Sequence, residues 1–177
     1  LDAKFNNIVV NNNEIAQELK DYLARISPTQ EKIVKLHKGE TPIFQKYNVT
    51  KQIKGAFGKN VTIKNGTYLV IEHTEALHVI DVNSGKKVDA KKDQEENALE
   101  VNIEAAKEIA RQLRLRDMGG IIVVDFIDLK LEKNRKLLFE SLKQAMSDDK
   151  AKHNILPPTK FGLIQITRQR VRPALTI

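Results

Sequence analysis

The chain has 177 residues, 41% of them hydrophobic, enough for one substantial folded domain or two small ones. Thirty Lys and Arg against 23 Asp and Glu leave a formal charge of +7, which favours a polyanionic partner. There is no cysteine, so disulfides and thiolate metal sites are excluded and any metal must be held by oxygen or imidazole ligands.

No apolar run approaches the roughly 18 residues of a membrane span, and no charged-then-apolar leader opens the sequence, so a soluble cytoplasmic protein is expected. The first residue is Leu1 and the chain stops soon after a strand, which reads as a piece of a longer protein. Residues 7–10 form a short strand, and the Asn11, Asn12, Asn13 cluster supplies the cap of a helix over 14–25 with Ile15, Leu19 and Leu23 on one stripe. Ser27 and Pro28 end that helix, and 33–37 alternates as a strand. Thr41 and Pro42 read as a helix start, with the Thr41 hydroxyl as cap and Pro42 at the first helical position. The following segment, 43–57, is helical but interrupted near Asn48, with Thr50 recapping its second half.

Gly55 and Gly58 flank a boundary after which the pattern turns to strands. Residues 61–64 and 67–71 are joined by Asn65-Gly66, a hairpin signal, and a third strand over 77–83 completes a meander. The polar loop 85–97 carries lysines and acids in alternation. Leu99, Ile103, Ala106, Ala110 and Leu113 mark the buried face of a long helix that Gly119-Gly120 terminates. The run GGIIVVDFIDL at 119–129 then reads as a strand buried on both faces. A further helix over 131–146 buries Leu137, Leu138, Leu142 and Met146, and the last strand covers 161–166.

The strand acids carry the chemistry. A carboxylate closing an apolar strand, Asp125, needs a partner, since an unpaired buried charge is strongly destabilising. Asp81 ends a similar run, and Asn83, two positions on, shares its face. Two acids and an amide make a hard-metal site for magnesium or manganese, with water or substrate phosphate completing the shell. The matching reaction is metal-assisted phosphodiester cleavage. Acids paired with Lys or Arg, or capping backbone donors, give the same pattern. Asp128 reads as a turn or helix cap, and the histidines at 37, 73, 78 and 153 lack ligand spacing.

Arg168, Arg170 and Arg172 recur every second residue and would line one face of an extended chain; with Lys150 and Lys152 they form a candidate RNA-backbone surface, or a solvated face. Aromatics for stacking on bases are few: Phe57, Tyr68 and Phe161 suit a core equally well.

Three stretches, TEALHVIDVNSG (74–85), NIEAAKEIARQLRLRDMGGIIVVDFIDL (102–129) and KFGLIQITRQRVRPAL (160–175), resemble in order the catalytic core of the ribonuclease E/G family of bacterial endoribonucleases. GETPIFQKYNV (39–49) fits the family segment that precedes it. The resemblance implies an α+β fold in which a DNase I-like subdomain (58–177) with a mixed sheet and flanking helices follows part of an RNase H-like subdomain (1–57). It implies a Mg2+ site, open also to Mn2+, at Asp81 and Asp125, with Asn83 as third catalytic residue. The implied reaction is attack of metal-activated hydroxide on single-stranded RNA, leaving 5′-phosphate and 3′-hydroxyl ends, in RNA processing and decay. Lys152 falls where the family has a basic residue near its 5′-end sensor. Family members also carry an OB-type RNA-binding domain, that sensor, and a cysteine motif that links subunits through zinc. None is present in this sequence, and homo-oligomers are expected of the full-length protein. The competing reading is a non-catalytic RNA-binding or assembly module that keeps the fold.

Overall fold

A computed structural model describes residues 6–85, 93–159 and 161–171. It divides into two compact units, Leu1–Lys54 and Gly55–Ile177.

In the first unit, strands β1 (Ile8–Val10) and β2 (Val34–Leu36) pair in parallel, and helix α1 (Asn13–Ile26) connects them. The Asn12 side chain accepts from the backbone N–H of Ile15 at 3.0 Å, so one member of the asparagine cluster is the cap. Ala16, Leu23 and Val34 form a small core. Helices α2 (Ile43–Lys46) and α3 (Val49–Ala56) are separated by Asn48, whose φ of 57° breaks the helical path. Pro42 itself stands at the N-cap of α2 with no side-chain cap, so the expected Thr41 cap does not form.

The second unit is a six-stranded mixed sheet in the order β3-β4-β5-β6-β8-β7. Its strands are β3 (Asn60–Thr62), β4 (Tyr68–His73), β5 (Leu77–Asn83), β6 (Gly120–Asp125), β7 (His153–Ile155) and β8 (Leu163–Arg168). The meander β3-β4-β5 is antiparallel, although the Asn65-Gly66 connection is a 3-10 turn wider than a two-residue hairpin. Strand β5 leads through helix α4 (Gln94–Leu115) to β6, which it pairs in parallel. A parallel neighbour needs such a crossover, and here the helix supplies it. β7, three residues long, pairs with β8 and has no counterpart in the sequence reading.

Alternation sets the core. Leu69, Ile71, Ile80, Val82, Ile122, Val124, Ile164 and Ile166 point to one face and are buried with Ala105, Ile109, Leu113 of α4 and Leu138, Leu142, Met146 of α5 (Glu132–Met146). The opposite face, carrying Val79, Asp81, Val123 and Asp125, is half-buried or exposed. Strand β6 is therefore covered on one side, not both, and Asp125 lies on the open side. The buried stripe of α4 runs through Ala98, Asn102, Ala105 and Ile109, leaving Leu99 and Ile103 at its margin; small residues let the long helix lie close to the sheet. Leu137 of α5 is exposed, and Asn134 takes its expected place inside.

Asp117, not glycine, takes the left-handed position after α4, with φ of 49°. Gly119 serves a different purpose: a Cβ there would come within 2.9 Å of the Arg170 backbone. No helix among the described residues is long and apolar enough to cross a membrane.

Candidate active site

The parallel register of β5 and β6 places Asp81 directly opposite Asp125, so both carboxylates leave the sheet on its open face. Asn83 extends the same face, and its Nδ2 donates to Asp81 Oδ2 at 2.7 Å. That bond fixes one oxygen of Asp81 and leaves its other lone pairs for a ligand. Just beyond, Gly85 (φ 66°) lets the chain pass so close to Gly66 that a Cβ would lie 2.2 Å from the Gly66 carbonyl oxygen.

Burial, then the neighbouring charge of Asp81, then that of Asp128, hold the Asp125 carboxyl above its ordinary value. No salt bridge among the described residues neutralises Asp81 or Asp125. Like charges brought together without a cation favour the binding of one. Among the described residues no three His, Asp or Glu side chains gather as a metal cluster. The donor set is two carboxylates and an amide, all oxygen ligands, which fits a hard ion that keeps most of its waters.

The segment after Asp125 is held by side chains the sequence reading did not single out. Buried Asn102 clamps Ile127 from both sides, donating to its carbonyl at 2.7 Å and accepting from its N–H at 3.0 Å. An amide among the mostly aliphatic residues of the buried helix face was the available signal. Glu95 accepts from the N–H groups of Lys130 and Leu131 and from Asn134, which supplies the cap that α5 lacks locally. The two backbone N–H bonds, of Leu131 and then Lys130, hold its carboxyl below the usual value. Arg135 Nη1 donates to the carbonyls of Leu129 and Lys130, both at 2.8 Å.

The basic residues divide. Arg168 is buried: Nε and Nη2 donate to the Asp149 carboxylate at 2.7 and 3.1 Å, and Nη1 donates to Asp117 and to the Met118 carbonyl, both at 2.9 Å. It therefore belongs to an internal ion-pair network and is withdrawn from the candidate RNA surface. The arginine alternation failed because β8 ends at Arg168, on the covered face. Lys150, Lys152 and Arg170 are exposed, and Gln169 N–H donates to the Lys152 carbonyl at 2.8 Å, so the two segments run side by side. Arg172 lies outside the described residues. In register, Leu163 faces Asp125 whereas Arg168 faces Gly120, so Lys152 and Arg170 sit beyond the far end of β6. At about 3.3 Å per residue that end is roughly 17 Å from Asp125. The acids and these cations do not form one cluster.

What the fold and side chains define is a mixed α+β domain with an acid pair and an amide on the open face of the parallel strand pair β5-β6 of its six-stranded sheet. The chain belongs to the ribonuclease E/G family, whose model matches residues 1–171. It is 42% identical over 174 residues to the chloroplastic ribonuclease E/G-like protein of Arabidopsis thaliana, an alignment covering 98% of this chain and 17% of that protein. It is 39% identical over 168 residues to ribonuclease E of Haemophilus influenzae, covering 95% and 18%, and 37% identical over 174 residues to ribonuclease G of Salmonella typhimurium, covering 98% and 35%. The chain thus spans only about a sixth to a third of the length of these relatives.

Proposed function

We propose that this chain is the catalytic segment of a magnesium-dependent endoribonuclease that cuts single-stranded RNA. The observation that carries the reading is the facing pair Asp81 and Asp125, with Asn83 fixed on Asp81. Membership of a family whose relatives are named ribonucleases supports RNA as substrate. Asp81 and Asp125 would hold Mg2+ or Mn2+, and Asn83 would orient Asp81 and a water or phosphate oxygen. When bound, the ion supplies Lewis-acid polarisation of the phosphate and lowers the pKa of water at the site. The exposed Lys150, Lys152 and Arg170, at the far end of the sheet, would meet the RNA backbone away from the cut. The first unit is assigned as part of an RNase H-like subdomain and the second as DNase I-like, in a full-length protein that is cytoplasmic and homo-oligomeric.

The test is incubation with single-stranded RNA in Mg2+, in Mn2+ and in EDTA. Cleavage in the first two alone, with 5′-phosphate and 3′-hydroxyl ends that ligate directly, is expected. Cleavage that persists in EDTA, or leaves cyclic phosphates, would overturn the mechanism. RNA binding of equal strength with and without metal, and no cleavage, would establish the non-catalytic binding module instead.

A further inference from the structure

Phe161 is 85% exposed, the most exposed of the large hydrophobic side chains among the described residues. A solvated phenyl ring is costly unless a partner covers it. Its backbone is nevertheless ordered by a built turn. Thr159 Oγ1 accepts from the N–H groups of Phe161 at 3.3 Å and Leu163 at 3.2 Å, and the Thr159 carbonyl accepts from Gly162 N–H at 3.0 Å. Gly162, at φ 79°, turns the chain into β8, whose first residue Leu163 faces Asp125 across the sheet. The ring is thus presented at the acid end of the sheet, two residues from the strand position opposite Asp125.

The same turn borders a pocket of about 630 Å³ whose walls set Asp128, Arg135 and Thr159 beside Phe161 and the apolar Leu129 and Leu138. Asp128 lies against the turn: its Oδ1 is 3.4 Å from where a Cβ of Gly162 would stand. An aromatic face beside one carboxylate and one guanidinium matches a nucleotide, whose base offers a π-surface and polar edges and whose phosphate offers charge. An apolar peptide would bring no donor to the Asp128 carboxylate and no acceptor to the Arg135 donors other than Nη1, which already serves the Leu129 and Lys130 carbonyls.

We propose that Phe161 is a base-stacking residue that holds one nucleotide of an RNA strand beside the acid pair, with Asp128 and Arg135 facing the same nucleotide. This rests on the reading of RNA as substrate. It gives the acid end of the sheet a means of gripping RNA that the distant Lys152 and Arg170 do not supply.

The chain contains no tryptophan, so Phe161→Trp installs a single tryptophan at the proposed contact, excited at the red edge where the three tyrosines do not absorb. The variant is titrated in EDTA, which keeps RNA intact, with a labelled single-stranded oligonucleotide and with an abasic oligonucleotide of equal length and charge. Anisotropy of the label reports binding, and tryptophan emission reports stacking. Quenching at saturation by the ordinary oligonucleotide and much weaker quenching by the abasic one is expected. Phe161→Ala should bind the ordinary oligonucleotide roughly 5- to 100-fold more weakly, leave binding of the abasic one unchanged, and melt at the parent temperature because the ring is exposed. Binding without base-dependent quenching would overturn the role of Phe161 while leaving RNA as the partner. Absence of any binding would overturn both. A blue shift that grows with protein concentration in the absence of RNA would assign the ring to a contact between copies of the chain and overturn the proposal.

Discussion

Asp81 and Asp125 face each other across β5 and β6, at the last residue of β6 and two residues before the end of β5, and no salt bridge among the described residues neutralises either. The register, not proximity in sequence, creates the charge problem. Asp125 has its pKa raised by burial, then by Asp81 and Asp128. A carboxyl whose folded pKa exceeds its unfolded value lends its full stability below the unfolded value and loses it as pH rises from there through the folded one. Ionised Asp125 is then a liability that a metal ion at the proposed site would relieve.

Asp125→Asn is therefore expected to leave the metal-free protein as stable as the parent or more so, while abolishing its stabilisation by Mg2+. A ligand at 100 times its Kd stabilises by about 2.7 kcal/mol, so the parent should gain a rise in melting temperature that the variant lacks. Cleavage should fall by more than the roughly 10- to 100-fold that losing an outer partner of a metal ligand costs. Thermal melts with and without Mg2+ check this. A variant that melts lower without metal would mean that Asp125 serves structure.

Arg168 and Arg170 should behave as opposites. The side chain of Arg168 is 4% exposed and pairs with Asp149, 2% exposed, and Asp117, 5% exposed. Arg168→Met removes the guanidinium that both buried carboxylates share and should cost about 3–5 kcal/mol in urea denaturation. Arg170→Ala should change stability by less than about 0.5 kcal/mol. It should, however, reduce the salt dependence of RNA binding by about 0.7 in logarithmic slope if Arg170 meets one phosphate of a single strand. An unchanged slope would remove Arg170 from the RNA surface.

These two arginines also show where sequence ceases to be informative. The acid pair was legible because strand alternation is local: Asp81 and Asn83 share a face by spacing alone, and each acid closes an apolar run. The alternation of Arg168 with Arg170 was equally visible, but its meaning depends on Asp149 and Asp117, 19 and 51 residues away, and on which face α5 covers. Burial of one face of β6 was hidden for the same reason. An aliphatic run looks alike whether its second face meets a helix or solvent, and here Ile121 is 42% exposed. Phe161 was legible only as one of three aromatics that suit stacking or a core equally well; that it stands outside the strand and is exposed follows from the turn around Thr159 and Gly162.

Asn102 should control the geometry of the acid strand without touching any ligand. Asn102→Leu keeps the volume but leaves both polar groups of Ile127 without their partner, a cost of about 1–3 kcal/mol for each group that water cannot reach. Hydrogen exchange at the Ile127 amide should accelerate. Mg2+ affinity should fall as Asp125 and Asp128 lose their fixed relation. Unchanged exchange at Ile127 would show that the loop is held by Glu95 and Arg135 alone.

The last prediction concerns a histidine pair on the covered side of the sheet. His73 and His78 are opposite residues in β4 and β5, with their Nδ1 atoms 2.6 Å apart. His78 Nε2 lies 3.2 Å from the Gly119 carbonyl, which can only accept, so Nε2 carries the proton. The Nδ1 of neutral His78 then accepts from His73 Nδ1–H. Burial, then the charge of His73, lower the pKa of His78 against the smaller opposing effect of the Gly119 bond, and Arg170 adds a further small lowering. With its folded pKa below the ordinary histidine value, His78 lends stability that is complete above about pH 6.5 and lost as pH falls from there through the folded value, because the unfolded chain takes up the proton first. The urea midpoint should accordingly be lower at about pH 5.5 than at about pH 7.5. His73→Gln removes one cause of the depression but not burial, so the difference between the two midpoints should shrink without vanishing, and His78 should titrate higher by NMR. Equal midpoints in the parent at both pH values would show that His78 is protonated as readily in the fold as in the unfolded chain, and that the short Nδ1 contact carries the proton on His78.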